Sequence, residues 1–197
     1  MKKIGLLGGS FDPPHRGHVY ISIEAKKMLK LSEIWWLVTP KNPLKILKPA
    51  TYQERVYNCK KITKNLPIII KETEKKINSK YSYQTLNYLI GHYKNIKFFW
   101  LMGADNLINF HEWQKWKQIF KEIPIVVFKR HGYNTRALKS MSCKKYLIHK
   151  LNIDKPNNND FNKLPCWVWL NNKEIRISST EIRNKRKLLR SKKLIIQ

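Results

Sequence analysis

The chain has 197 residues, of which 42% are hydrophobic, and carries a formal net charge of +27 at pH 7. This length suits one domain with a full core, or one domain with a small appendage. No apolar run reaches the roughly 18 residues of a membrane span, and a Gly-rich turn follows the basic N-terminus directly, so we expect neither a membrane helix nor a secretory signal.

Strand-like and helix-like segments alternate along the chain. The predicted strands are 4–8, 34–39, 67–71, 96–102, 125–128 and 166–170. The predicted helices are 16–31, 51–64, 82–93, 111–121, a weaker one over 138–151, and a last one from about 179, with an Asn-rich loop at 156–160. This alternation predicts an α/β fold, a Rossmann-like doubly wound parallel sheet with helices on both faces. We treat residues 1–197 as a single domain, in which ligands bind beyond the carboxyl ends of the strands.

The first predicted strand leads into a Gly-rich turn with the sequence Gly8-Gly9-Ser10-Phe11-Asp12-Pro13-Pro14-His15-Arg16-Gly17-His18. The glycines allow a sharp turn and bring backbone N–H groups close to a ligand. His15 and His18 are three residues apart where a helix should begin, so they share one face. Backbone donors, a helix N-terminus and two imidazoles together predict a phosphate site. An ordinary strand–helix turn with two surface histidines is the alternative.

A second motif near the C-terminus has the sequence Ile177-Ser178-Ser179-Thr180-Glu181-Ile182-Arg183. It indicates a helix start whose backbone N–H groups and hydroxyls can hold phosphate oxygens. Arg183, one turn into that helix, can reach the same anion with its planar guanidinium. A plain capping box, Ser178 with Glu181, is the alternative.

Gly103-Ala104-Asp105-Asn106 follows a predicted central strand. Asp105 is placed to accept hydrogen bonds from ribose hydroxyls, as carboxylates do in other nucleotide-binding sheets. It could equally cap the next helix.

The motif that contains His15 and His18 resembles the His-x-Gly-His signature of the nucleotidylyltransferase superfamily. The motif over 177–183 resembles the ISST-x-I-R signature of the same superfamily. With Phe-Asp-Pro-Pro and Arg130-His131-Gly132-Tyr133, they are similar to those of the nicotinate-nucleotide adenylyltransferases. The likeness runs from residue 1 to about 190 and is weakest over 134–165. It implies transfer of AMP from ATP to nicotinate mononucleotide, giving deamido-NAD (nicotinate adenine dinucleotide) and pyrophosphate in NAD biosynthesis. Phosphopantetheine or nicotinamide mononucleotide as acceptor, and a non-catalytic basic RNA-binding module, are the alternatives.

The resemblance also implies a set of site residues. The ATP site would comprise Gly8, Gly9, Ser10, Phe11, His15, His18, Gly103, Asp105, Ile177, Ser178, Ser179, Thr180 and Arg183, with His15, His18 and Arg183 catalytic. The nicotinate nucleotide would contact Thr85, Trp113, Asn42, Lys45 and Arg130. Trp113, on the predicted 111–121 helix, would stack on the pyridine ring, and Thr85 would donate to the ring carboxylate. Asn42 and Lys45 belong to a loop that departs from the Pro-Pro-His-Lys usual in relatives.

Metal and partner expectations follow from the same residues. Two histidines are too few for a zinc site, and no Cys, Asp or Glu at ligand spacing completes one. We therefore expect no protein metal site, and Mg²⁺ held through the phosphates of ATP as the cofactor. The sequence leaves the oligomeric state open, a homo-oligomer included.

The charge and the cysteines bear on partners and compartment. Lys and Arg could neutralise nucleic-acid phosphates, but Lys, Asn and Ile are abundant throughout, as AT-rich coding produces, and an evenly spread charge is usually a solvated surface. We therefore expect no nucleic-acid partner. The positive electrostatic field of the protein should nevertheless attract anionic nucleotides. Cys59, Cys143 and Cys166 are isolated and odd in number, which argues against disulfides and favours the cytoplasm.

Overall fold

A computed structural model describes residues 1–40, 50–152 and 159–195. Seven strands form one sheet in the order β3-β2-β1-β4-β5-β7-β6, with parallel pairing throughout. The strands are β1 (Lys2–Gly9), β2 (Glu33–Val38), β3 (Ile68–Lys71), β4 (Ile96–Gly103), β5 (Ile125–Phe128), β6 (Lys150–Leu151) and β7 (Trp167–Leu170). The predicted α/β doubly wound sheet is confirmed.

Helices connect the strands and cover both faces of the sheet. They are α1 (Arg16–Met28), α2 (Tyr52–Ile62), α3 (Thr73–Lys76), α4 (Ser82–His92), α5 (Ala104–Ile108), α6 (Trp116–Glu122), α7 (Asn134–Leu138), α8 (Met141–Lys145) and α9 (Ser179–Ile195). Single 3₁₀ turns occur at Phe110–Glu112, Leu147–His149 and Asn159–Phe161. Within the described ranges, every helix is too short or too polar to traverse a bilayer.

The sheet has a hydrophobic core on each face because successive strand residues point to opposite sides. In β4, Trp100 belongs to one core and Leu101 to the other. In β1, Leu6 belongs to the same core as Trp100, and Leu7 belongs to the same core as Leu101. Strands that are buried on both faces appear in the sequence as unbroken apolar runs, which is why these strands could be predicted.

The predicted helix over 111–121 is wrong in its first half. Trp113 has extended backbone angles, and Lys115 has a φ of 53°, in the left-handed region, so α6 begins only at Trp116. The chain leaves helical geometry because the Trp113 ring packs against Phe110 and Trp100, with ring centroids 5.0 and 6.1 Å away.

A single helix over 138–151 is also wrong. That span instead holds α8, a 3₁₀ turn and the unpredicted edge strand β6, and it is preceded by α7, which ends at Leu138. Ser140 separates the two helices, because its hydroxyl accepts a hydrogen bond from Cys143 N–H and so starts a new helix. Most of the predicted loop over 156–160 lies outside the described residues.

Candidate active site

A cleft of about 840 Å³ opens at the carboxyl ends of β1, β4 and β5. The chain runs outward from β1 to β3 and then returns to place β4 beside β1, so the strand order reverses at this point. Ligands of doubly wound sheets bind at such a switch point. The walls include the Gly-rich turn, the first half of α1, Glu74, and residues from the segments 80–82, 103–106, 112–114, 128–133 and 172–181.

His15 and His18 stand together at the start of α1. His15 is the N-cap, and its Nδ1 accepts a hydrogen bond from Gly17 N–H at 3.1 Å. His18 Nδ1 accepts one from His15 N–H at 3.2 Å, and the ring centroids are 3.8 Å apart. With each Nδ1 used as an acceptor, a neutral ring carries its proton on Nε2. Both residues line the cleft, so the pair offers two N–H donors to an anion.

His15 is held in its neutral form. Burial, followed by the positive charge of Arg130, lowers the pKa of His15 from 6.5 to about 4, although Glu181 opposes the shift. The imidazole is therefore neutral at pH 7, with its tautomer set by the Gly17 hydrogen bond. His15 therefore contributes hydrogen-bond donation, rather than fixed positive charge, to the cleft.

We expect the low pKa of His15 to make stability depend on pH. Because the unfolded chain binds a proton at His15 below pH 6.5 and the folded chain only near pH 4, stability falls as pH drops between these values. The loss should reach about 3 kcal/mol of unfolding free energy at pH 4. His15→Asn keeps a side-chain cap and removes the titration. Denaturant unfolding at pH 7 and pH 4 should show a smaller loss for the variant; equal losses would contradict the assignment.

Aromatic packing and a hydroxyl relay fix the position of His18. The centroid of its ring lies 5.0 Å from that of Phe11 and 5.9 Å from that of Trp36, which it meets edge-on. Phe11 has a φ of 46°, a costly conformation for a bulky residue, and its buried ring stacks on Trp36 at 4.6 Å. Ser22 Oγ accepts from Trp36 Nε1 and donates to the His18 carbonyl. The turn and the helix are therefore anchored to β2.

Arg130 links three parts of the cleft. Its Nη1 donates to Asp105 Oδ2 at 2.7 Å, and its Nη2 approaches the Ile177 carbonyl at 3.5 Å. Its charge also reaches His15. In the structure Arg130 lies between the Gly103–Asp105 segment and the residues before α9. The contact with the acceptor nucleotide that the resemblance implies for Arg130 stays a prediction.

Asp105 presents an unused acceptor in the same region. Its Oδ1 is buried and has no hydrogen-bond partner among the described residues. A Cβ at position 103 would lie 2.5 Å from this oxygen, so glycine there makes room for the carboxylate. Buried acceptors without partners are uncommon, and a ligand hydroxyl would satisfy this one.

The start of α9 is fastened to the Gly-rich turn. Ser179 Oγ donates to the Pro13 carbonyl at 2.9 Å. Ser178 and Glu181 form the capping box, with bonds of 2.9 and 3.1 Å between each side chain and the other's backbone N–H. A Cβ on Gly17 would lie 3.1 Å from Ile177 Cγ2, so glycine permits this close approach. The two predicted phosphate motifs thus meet in one cleft wall.

Arg183 is engaged with protein atoms rather than with the cleft. Its Nη1 donates to the Asp12 carbonyl and lies 3.9 Å from Asp12 Oδ2, while Nη2 donates to Thr180 Oγ1 at 3.1 Å. Arg183 is not among the residues that line the cleft in the described part of the chain. A phosphate contact for it stays a prediction, and its observed bonds join α9 to the Gly-rich turn.

The residues assigned to the acceptor nucleotide are placed differently from one another. Trp113 lines the cleft, as do its neighbour Gln114 and the residues Lys80, Tyr81 and Ser82. Thr85 is fully buried, and its hydroxyl is hydrogen-bonded with Ser79 at 2.7 Å. Its predicted contact with a carboxylate stays a prediction.

Asn42 and Lys45, the other two residues assigned to the acceptor, lie outside the described residues. Their assignment therefore also stays a prediction.

Arg55 is a buried residue that the sequence analysis missed. Its Nη1 donates to the carbonyls of Ser10 and Thr39 at 2.6 and 2.8 Å, its Nη2 to Pro40 at 2.9 Å and its Nε to Ala50 at 3.1 Å. It therefore holds the Gly-rich turn against the end of β2. The signal was its position next to Val56 on the apolar side of a helix, where a charged residue is rarely found without partners.

Comparison with known proteins gives one family for most of the chain. Residues 6–185 match the family model described as cytidylyltransferase-like. A protein of Ruegeria sp. (strain TM1040), "Probable nicotinate-nucleotide adenylyltransferase", is 41% identical over 182 residues, which cover 92% of this chain and 96% of that protein. A protein with the same name from Bradyrhizobium sp. (strain ORS 278) is 38% identical over 183 residues, or 92% and 95% of the two chains.

A solved structure has the same fold. It is described as "Plasmodium falciparum nicotinic acid mononucleotide adenylyltransferase complexed with NaAD", and it has a TM-score of 0.68 at 19% identity. The match covers 93% of this chain and 83% of that one. At this identity the likeness concerns the arrangement of strands and helices alone.

Proposed function

The chain belongs to the nicotinate-nucleotide adenylyltransferase family, and from this premise we propose that it transfers AMP from ATP to nicotinate mononucleotide. The acceptor's phosphate oxygen attacks the α-phosphorus of ATP, the bond from that phosphorus to the bridging oxygen breaks, and pyrophosphate leaves. The products are nicotinate adenine dinucleotide and pyrophosphate. The observation that carries the proposal is the paired His15 and His18, whose Nδ1 atoms are both occupied by backbone N–H groups in a nucleotide-sized cleft.

Stabilisation of charge, rather than covalent catalysis, would accelerate this reaction. Negative charge increases on the phosphate oxygens and on the departing pyrophosphate, and fixed donors aimed at those oxygens lower the barrier. The Nε2–H groups of His15 and His18 suit this role because the protein already orients them. The backbone N–H groups at the start of α9 would bind the outer phosphates.

The adenosine part of ATP would lie along the Gly103–Asp105 side of the cleft. The unpartnered Oδ1 of Asp105 can accept a ribose hydroxyl. Arg130 donates to the other carboxylate oxygen, so the side chain of Asp105 is kept oriented. Because Arg130 also approaches Ile177, one side chain would align the ribose site with the phosphate site.

Mg²⁺ would accompany ATP as the cofactor. Among the described residues, no three His, Cys, Asp or Glu side chains come together to hold a metal ion. An ion that is held mainly by phosphate oxygens, as Mg²⁺ commonly is, needs few protein ligands. When bound, Mg²⁺ would neutralise part of the charge on the leaving pyrophosphate. We place the reaction in the cytoplasm, since the three cysteines are free thiols.

A direct assay tests the function. The protein is incubated with Mg-ATP and either nicotinate mononucleotide or nicotinamide mononucleotide, and pyrophosphate release is measured. We expect fast release with the nicotinate nucleotide. If no pyrophosphate is released with either nucleotide, the proposal is contradicted.

We expect Trp113→Ala to weaken nicotinate mononucleotide far more than ATP. A ring stacked on the pyridine contributes about 0.5–1.5 kcal/mol beyond its buried area, and the lost apolar contact adds to this. The Michaelis constant of the acceptor should rise about tenfold or more, while that of ATP stays nearly constant. Both constants and the melting temperature are measured.

Trp116→Ala is the matched control for this experiment. Trp116 packs edge-on against Phe120 and Tyr146 and does not line the cleft. Its loss should lower the melting temperature and leave both Michaelis constants close to those of the wild-type protein. If Trp113→Ala behaves like this control, Trp113 is a packing residue only.

A further inference from the structure

Two side chains link the loop after β5 to the segment before α9. Asn134, the first residue of α7, accepts a hydrogen bond from Arg130 N–H at 2.8 Å through its Oδ1. Through its Nδ2, Asn134 donates to Glu174 Oε1 at 2.7 Å. We call these two hydrogen bonds the Asn134–Glu174 bridge. They join the backbone of Arg130 to a residue that is three positions before Ile177, whose carbonyl the Arg130 side chain also approaches.

The segment before α9 is held in place by side chains. Residues 171–178 belong to no strand or helix. Three successive positions of this segment form hydrogen bonds of 2.7, 3.0 and 2.7 Å, which are Lys129 N–H to Asn172 Oδ1, Lys173 N–H to the Tyr20 hydroxyl, and Asn134 Nδ2 to Glu174 Oε1. The last of these bonds belongs to the Asn134–Glu174 bridge and so leads to Arg130.

The bridge acts on a side chain that lines the cleft. Arg130 lines the cleft, and its Nη1 donates to Asp105 Oδ2 at 2.7 Å. The other carboxylate oxygen of Asp105 is buried and has no partner among the described residues, so it is the atom offered to a ligand hydroxyl. Asn134 and Glu174 are not among the lining residues in the described part of the chain. Their influence on the cleft therefore passes through Arg130.

We propose that Asn134 and Glu174 are positioning residues that hold Arg130, and through it Asp105, in the geometry that recognises the ribose of ATP. The inference rests on the proposed function, in which Asp105 accepts a ribose hydroxyl. The Asn134 amide has an oxygen for the Arg130 N–H and an N–H for the carboxylate, so its two bonds fix its orientation. The second oxygen of Glu174, which takes no part in the bridge, lies 3.5 Å from His131 Nδ1.

The polarity of the Asn134 amide allows the bridge to be broken and restored with little change in shape. Asn134→Asp places a second carboxylate against Glu174, and like charges at this distance repel each other. Glu174→Gln keeps the bridge, because the new amide oxygen still accepts from Asn134. In the double variant Asn134→Asp, Glu174→Gln, the new carboxylate can accept from Arg130 N–H and from the new amide N–H, so the bridge forms again.

The experiment compares kcat/KM for ATP with kcat/KM for 2′-deoxy-ATP and 3′-deoxy-ATP, at saturating nicotinate mononucleotide and one pH. The three nucleotides carry the same triphosphate, so a general change in the electrostatic field of the cleft cancels in the ratio. In the wild-type protein we expect about a tenfold preference for ATP over at least one analogue, because the missing hydroxyl leaves a buried acceptor without a partner.

The variants should separate according to the bridge. In Asn134→Asp we expect the preference for ATP to fall to about threefold or less, whereas the double variant should recover most of it. Glu174→Gln should keep the wild-type preference. Thr135→Asp is the matched control, because it adds the same charge at the next, exposed position of α7. It should also keep the wild-type preference.

The outcomes distinguish this inference from the function on which it rests. Pyrophosphate release with the same preference in the wild-type protein and Asn134→Asp would overturn the inference alone. So would a wild-type protein that prefers ATP over neither analogue, or a loss in Asn134→Asp that the double variant does not reverse. If the wild-type protein releases no pyrophosphate with any of the three nucleotides, the proposed function is contradicted, and the inference with it.

Glu174→Ala provides a second test if Asn134→Asp does not fold. It removes the acceptor for Asn134 Nδ2 from a side chain that is 31% exposed. The preference for ATP should fall in Glu174→Ala and persist in Glu174→Gln. A role in stability alone would lower the melting temperature of Glu174→Ala and leave its preference equal to that of Glu174→Gln, which would overturn the inference.

Discussion

His18→Asn should leave a folded protein that transfers AMP at least a hundredfold more slowly. Asparagine keeps a polar atom near the position of Nδ1, where His18 accepts the His15 N–H, but has nothing at the position of Nε2. Losing one donor to the charge of a transition state costs about 2.7–4 kcal/mol of barrier, or roughly 10²–10³ in kcat. The measurement is kcat at saturating Mg-ATP, together with the melting temperature.

His18→Gln is the matched control, because the longer side chain can bring an amide N–H toward the position of Nε2. It should recover part of the lost kcat while giving up the capping bond to His15. The Michaelis constant of nicotinate mononucleotide should change little in either variant, since we propose that its ring stacks on Trp113. A folded His18→Asn protein with a normal kcat would remove His18 from the mechanism.

The local geometry of the two predicted phosphate motifs could be read from the sequence because each motif lies within one short segment. The Gly-rich turn, His15 and His18 lie between one strand and the helix that follows, so their sequence spacing almost determines their spacing in space. The capping box of Ser178 and Glu181 is likewise formed within a single helical turn. The alternation of apolar runs with amphipathic segments predicted the order of most strands and helices for the same reason.

The features that the sequence did not reveal depend on contacts between distant segments. Trp113 leaves helical geometry because of its packing on Trp100 of β4. Arg55 is buried because it meets four carbonyls, one from the Gly-rich turn, two from the residues after β2 and one from the residue before the N-cap of α2. Arg130 is drawn to Asp105, which is 25 residues away in sequence. Helical periodicity carries no information about such partners.

Arg183→Lys is expected to lower the rate of pyrophosphate release by about tenfold to a hundredfold although the positive charge is kept. The Arg183 guanidinium donates in two directions, to the Asp12 carbonyl and to Thr180 Oγ1, and so joins the Gly-rich turn to α9. An ammonium group is a compact donor on a flexible stem and cannot reproduce this fork. The Gly-rich turn and the start of α9 would then lose their relative position, and a shift of about 1 Å can cost a hundredfold in rate.

Arg176→Lys provides the control, since Arg176 is exposed and precedes the same motif. It makes the same chemical change beside the site, so its kcat and its Michaelis constant for ATP should match those of the wild type. Arg183→Lys should differ from it in kcat more than in melting temperature, because Arg183 is partly exposed and Ser179 still joins α9 to Pro13. If both arginine variants turn over at the wild-type rate, the bonds of Arg183 to the Gly-rich turn serve stability alone.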